Sequence, residues 1–158
     1  MRVGPLAVVV AVVLAFAFAT TSYAENPVGV WKMNPAKSTD SPGPAPKSVT
    51  ITTTAVAGGS YKSVNETAPA TGAASKTEIT YKFDGADNKI TGNPNADTQA
   101  YTRVDDRHYT VVAKKAGKVT LSTKVEIAAD GKSRSSTQTG TDAQGKPVNN
   151  FIWSWGTF

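Results

Sequence analysis

The strongest constraint on this chain is the segment KVTLSTKVEIAA, Lys118 to Ala129, in which the side chains alternate in character at every step. Val119, Leu121, Thr123, Val125 and Ile127 fall on one side of an extended backbone, while Lys118, Thr120, Ser122, Lys124 and Glu126 fall on the other. Successive side chains of a strand point to opposite faces, so this pattern predicts a half-buried strand of an antiparallel sheet. The same phase recurs in SVTITTTAV with Val49 and Ile51, in TEITYKF with Ile79, Tyr81 and Phe83, and in HYTVVAK with Tyr109 and Val111. In NFIWSW it puts Phe151, Trp153 and Trp155 on the inner face. Leu121 is the sole leucine after Ala24, whereas Thr, Ser and Val abound, a composition that favours strands over helices.

Turn signals separate these segments at close spacing: Asp84-Gly85, Ala116-Gly117, Asp130-Gly131 and Gln144-Gly145. Glycine accepts the positive φ that tight hairpin turns require. Connections this short leave no room for crossover helices, so the strands form a meander whose edges must be paired or covered. The expected fold is all-β, an antiparallel up-and-down meander closing into a small barrel of about 8–10 strands. Two connections are longer. SPGPAP (Ser41 to Pro46) reads as an extended spacer, and TAPATGAAS (Thr67 to Ser75) as a long hairpin connection or a lid over a mouth.

The beginning of the chain carries an address. Arg2 precedes the apolar run Leu6 to Ala19, and Ser22-Tyr23-Ala24 offers small residues where a signal peptidase reads. The run is shorter than the roughly 20 residues a spanning helix needs. Residues 1–24 are therefore expected to be a cleaved signal peptide and 25–158 a single barrel domain, secreted or periplasmic. No cysteine is present, so neither a lipidation site nor a disulfide is available. The formal net charge is +5, of which Arg2 supplies one, and charges of both signs are scattered without a basic run. That is a solvated surface rather than a nucleic-acid footprint.

Gly29-Val30-Trp31 followed by a meander resembles the opening of lipocalin-type barrels, in which the Trp closes one end. GVWKMNPAKS, PGPAPKSVT, TGNPNADT and GTDAQGKPVNN, in that order, resemble a group of small secreted bacterial lipocalin-like proteins. The resemblance implies a fold and a compartment, and no established activity. It makes Trp31 a barrel plug, with Gly29 allowing close backbone approach.

One segment breaks the alternation. KSRSSTQTG (Lys132 to Gly140) stands where a strand is expected yet has no apolar side chain on either face. It forms a solvated wall, or it turns Ser133, Ser135, Thr137 and Thr139, or alternatively Arg134, Ser136 and Gln138, toward a wet interior. The expected ligand-lining residues are Tyr81, Tyr101, Arg103, Tyr109 and Trp153, since an inward Tyr101 brings Arg103 to the same face two residues on. An inward Arg beside a Tyr suits a carboxylate-bearing ligand.

Catalysis finds no pattern. His108 is the single histidine, Asp105-Asp106-Arg107-His108 reads as a turn, and FDGADNKI lacks calcium-loop spacing. No enzyme, cofactor or metal site is expected. The ending FIWSWGTF suggests an outer-membrane barrel, but counting back from Phe158 by twos leaves both Trp on the opposite face, so the chain is expected not to be membrane-integral. The sequence reads as a monomeric secreted barrel binding a small amphipathic or hydrophobic ligand and no nucleic acid. The alternative is a non-catalytic structural or interaction protein of the bacterial envelope with a packed barrel, and interior volume discriminates the two.

Overall fold

The computed structural model describes residues 27–142 and 145–157, so the signal segment 1–24, Gln144 and Phe158 lie outside the described residues. Ten strands follow one another: β1 (Gly29–Met33), β2 (Ser48–Val56), β3 (Ser60–Ala68), β4 (Ser75–Tyr81), β5 (Asp84–Thr91), β6 (Thr98–Arg103), β7 (His108–Lys115), β8 (Lys118–Ile127), β9 (Ser133–Thr141) and β10 (Pro147–Thr157). Each pairs antiparallel with its sequence neighbour, and β1 closes the ring by pairing with both β2 and β10. Closure gives both edges of the meander a partner, as the absence of crossover elements requires.

Hairpin chemistry matches the turn signals in part. Between Lys115 and Lys118 the two turn residues Ala116 and Gly117 have φ of 47° and 76°, the left-handed pair of a two-residue hairpin. Asp84-Gly85 is different: it lies inside β5, and the pairing with β6 slips between Asp84 and Asp87. Gly85, at φ 76°, there serves an irregular bulge-like stretch rather than a hairpin turn.

The closed end is built around Trp31, which is 1% exposed and donates from its indole N–H to the Pro27 carbonyl at 2.9 Å. Directly opposed residues share a face of the sheet. Trp31 stands opposite Gly156 on β10 and Ile51 on β2. Gly29 takes φ 130°, a conformation that side-chain-bearing residues rarely adopt. Ile79, Tyr81, Tyr109, Val125 and Ile127 belong with Trp31 to one buried cluster, as the alternation predicted, and Tyr101 joins them.

Four residues expected inside, one on β8 and three on β10, are outside. Val119 is 57% exposed because Ala113 opposes Leu121 while the next residue, Lys114, opposes Val119. Thr120 is thus an extra residue, and the bulge reverses the phase of the two residues before it. Gly140 sits against this bulge, where a Cβ would come within 2.1 Å of the Thr120 carbonyl oxygen.

The second correction concerns β10. Its register with β1 puts Gly156 and Ser154 inward, opposite Trp31 and Met33, so Phe151, Trp153 and Trp155 point out. Phe151 and Trp155 are 38% and 39% exposed. Beyond Met33 the chain turns through a short 3-10 segment, Pro35–Lys37, and rejoins β10 with paired backbone hydrogen bonds between Thr39 and Phe151. This detour sets the Lys37 ammonium 4.2 Å from the centre of the Trp153 ring.

Candidate functional site

The interior is not filled. A cavity of about 430 Å³ extends up the barrel from an aromatic floor to a mouth edged by Asp40, Pro46, Ser75 and the Asn93–Asn95 loop. Its lowest wall contains Tyr81, Tyr101, Tyr109, Val125, Arg134 and Ser154. Higher up, Ile51, Ile79 and Ile152 are interleaved with neutral polar groups such as Asn65, Thr77, Gln138 and Asn150. Among the described residues Asp40 is the one carboxylate in the lining, at the end opposite the floor, and its acidity is weakened by partial burial.

The floor derives from strand phase. Tyr81 on β4 and Tyr101 on β6 stack across β5, with ring centroids 3.6 Å apart and planes 14° from parallel. Phe83 closes the stack from below, edge-on to Tyr81 at 5.5 Å and to Tyr109 at 5.2 Å. Burial pushes the Tyr81 and Tyr101 phenols well above their ordinary pKa, so both stay neutral hydrogen-bonding groups. Tyr101 donates to the Gln99 side-chain oxygen at 3.0 Å, and Thr53 shares a buried 2.8 Å hydrogen bond with Ser63.

Three of the expected lining residues, Tyr81, Tyr101 and Tyr109, come together here, and two do not. Arg103 keeps the inward phase, since it opposes Tyr109, but it is the last residue of β6 and emerges below the floor. There it is exposed, with its guanidinium carbon 4.9 Å from the centre of the Phe83 ring. Trp153 lies on the outer face under Lys37, so it does not line the cavity either.

The group that takes the place foreseen for Arg103 is Arg134. On β9 the register puts Arg134, Ser136 and Gln138 inward, opposite Ser154, Ile152 and Asn150 of β10. The alternative set, Ser133 to Thr139 in steps of two, is therefore outside. Arg134 is 6% exposed. Its guanidinium carbon lies 4.9 Å from the centre of the Trp31 ring, and one terminal nitrogen donates to the Tyr109 hydroxyl at 3.5 Å. Its Nε has no hydrogen-bond partner, and no carboxylate among the described residues pairs with it.

The mouth is held by local hydrogen bonds. Asp97 accepts from the Ala116 backbone N–H at 2.8 Å and from the Lys115 ammonium at 2.7 Å, tying the β5–β6 loop to the β7–β8 turn. The Ala116 bond first, then Lys115, hold the Asp97 carboxyl below its usual range. Gly92, at φ 75°, approaches β4 so closely that a Cβ would meet the Lys76 carbonyl oxygen at 2.0 Å. Asn93, Pro94, Asn95, Pro46 and Asn150, from three of the segments quoted for the sequence resemblance, line the cavity with Asp40.

The single histidine is elsewhere. His108 meets Asp105 at 2.7 Å on the exposed β6–β7 turn, where Asp105 also accepts the backbone N–H groups of Arg107 and His108. Those bonds, Arg107 first, lower the Asp105 pKa and define a side-chain-capped turn. No helix of the described residues is long and apolar enough to cross a membrane. On the outer wall, Lys62 and Lys76 pair with Glu78 at 3.2 and 3.4 Å. Facing lipid, such lysines would cost ~2–4 kcal/mol each at mid-depth. No family model, curated protein or solved structure matches this chain.

Proposed function

We propose that this chain is a secreted, lipocalin-like binding barrel that holds one small amphipathic molecule in its interior. The observation that carries the reading is the cavity of about 430 Å³ between an aromatic floor and a polar mouth. A barrel of this size kept only for shape fills its axis with side chains. Here the axis is open above Tyr81, Tyr101 and Tyr109, and the volume lies within the range of small-ligand sites. The lining alternates isoleucine and valine with hydroxyls and amides, so it matches a molecule with both apolar and hydrogen-bonding parts. The test is native mass spectrometry of the mature protein purified from its own cells, followed by denaturation and analysis of released material. The expected result is a stoichiometric small molecule. Bare protein with no thermal shift from fatty acids, aromatic acids or saccharides would remove the reading.

A second reading, an interaction protein of the envelope, draws on the outer face of β10. Phe151 and Trp153 edge a shallow groove with Glu126, Ser133 and Ser135, and Trp155 stands beside them with its ring centre 6.2 Å from that of Trp153. Crosslinking from position 155 in intact cells distinguishes the two readings, since an interior carrier gives no specific adduct there.

A further inference from the structure

Arg134 is expensive to keep where it is. A guanidinium carries five N–H donors in a planar fork and stays charged at every accessible pH. Burying it without an anion forfeits hydration that the protein must replace. The replacement here is incomplete: a Trp31 ring face at 4.9 Å, one long 3.5 Å bond to Tyr109, and an Nε without a partner. The neighbours directly opposite Arg134 are Ile127 on β8 and Ser154 on β10, and neither supplies a negative charge. Arg134 also lines the cavity, whose sole carboxylate among the described residues is Asp40 at the far rim.

We infer that Arg134 is the anchor of the binding site and that the molecule held is a small monocarboxylic acid, seated acid-first against the guanidinium with an apolar body packed against the cavity side of the tyrosines. This deepens, and rests on, the proposal that the interior binds a ligand. A carboxylate offers two oxygens in the geometry the guanidinium fork matches, and it supplies the missing charge in a site closed from below by Trp31. Beside it, Tyr81, Tyr101 and Tyr109 give the cavity an aromatic wall against which an aromatic or similarly apolar body can pack. Ser136, Gln138 and Asn150 follow further up the same wall and suit hydroxyl or amide substituents at the outer end. The polarity order of the cavity, cationic at the floor and polar with the Asp40 carboxyl at the mouth, is the reverse of what a tail-first lipid would need.

The test compares 1-naphthylacetate with 1-naphthylacetamide, which share a ring and differ in charge, by calorimetric titration of the wild-type protein and of Arg134→Gln. The acid is expected to bind at least tenfold more tightly than the amide to wild type. Arg134→Gln is expected to keep amide binding and lose the preference. A second readout needs no change at Arg134. In Trp153→Phe/Trp155→Phe protein Trp31 is the only tryptophan, and its emission is expected to change with the acid and not with the amide. Equal binding of acid and amide to wild type would overturn acid-first anchoring and leave Arg134 as a cap on Trp31, with cavity binding intact. No binding of either compound at millimolar concentration, with Trp31 emission unmoved, would count against the binding cavity itself.

Discussion

Strands β7 and β8 and strands β9 and β10 form adjacent parts of one wall, yet they bury opposite kinds of side chain. From β7 and β8 the interior receives Tyr109, Val111, Val125 and Ile127, with charged residues such as Lys124 and Glu126 outside. From β9 and β10 it receives Arg134, Ser136, Gln138, Asn150 and Ser154, with Ile152 and Val148 as the apolar exceptions, while three aromatic rings face out. Both pairs are held by antiparallel ladders, that of β7 and β8 broken by the bulge at Thr120 and that of β10 with β9 running through nine paired positions. Backbone pairing and barrel closure therefore keep β9 and β10 in place without an apolar inner face. A wall released from packing is available for chemistry, and polar groups that break the local rule mark the place to look for function.

The comparison can be broken by mutation, and the largest effect is expected at the plug the two halves share. Trp31→Ala should cost ~3–5 kcal/mol, read by chemical denaturation, because it empties the site of the largest fully buried side chain among the described residues. Gly140→Ala tests the bulge where β8 meets β9. A Cβ there, 2.1 Å from the Thr120 oxygen, must push the backbone aside, and a loss of ~1–3 kcal/mol is expected in the same measurement.

The strands of the meander and the inward Tyr81 and Tyr109 were legible because period-two alternation with an apolar face is a local signal. Closure followed from short connections that leave sheet edges to be paired, and a buried Trp31 was implied by the resemblance of the opening segment. What was missed depends on distant partners. Alternation in FIWSW defines two faces but not which is inside; pairing of Gly156 with Trp31 decides that, more than a hundred positions away in the chain. Val119 left its face through a bulge accommodated by Gly140 of the next strand. Arg103 had the correct phase and the wrong height, because strand length relative to the floor is a property of the closed barrel. Arg134 did carry a sequence signal, the lack of any apolar residue in KSRSSTQTG, but that signal left its direction open.

Alkaline titration sharpens the contrast from the tyrosine side. Burial raises the Tyr81 and Tyr101 pKa values in the folded protein above the ordinary value near 10, so their stabilisation is complete below that pH. It is lost as pH rises from there through the folded values, because the unfolded phenols ionise first. Denaturation midpoints should fall above about pH 10, and Tyr101→Phe should flatten the fall. The smallest effect is expected on the outer face, where Trp155→Ser should change stability by no more than about 0.5–1 kcal/mol, since the ring is half-exposed.

The central claim is that β9 turns Arg134 inward for a ligand and not for the fold. Native mass spectra of wild type and Arg134→Met, purified in parallel from the same cells, test it most directly. Methionine keeps an unbranched chain in the site and removes the unpaired charge, so the variant should melt no lower than ligand-free wild type. The account predicts a bound acidic molecule on wild type and none on the variant. An equally loaded variant, or a variant that fails to fold, would contradict it.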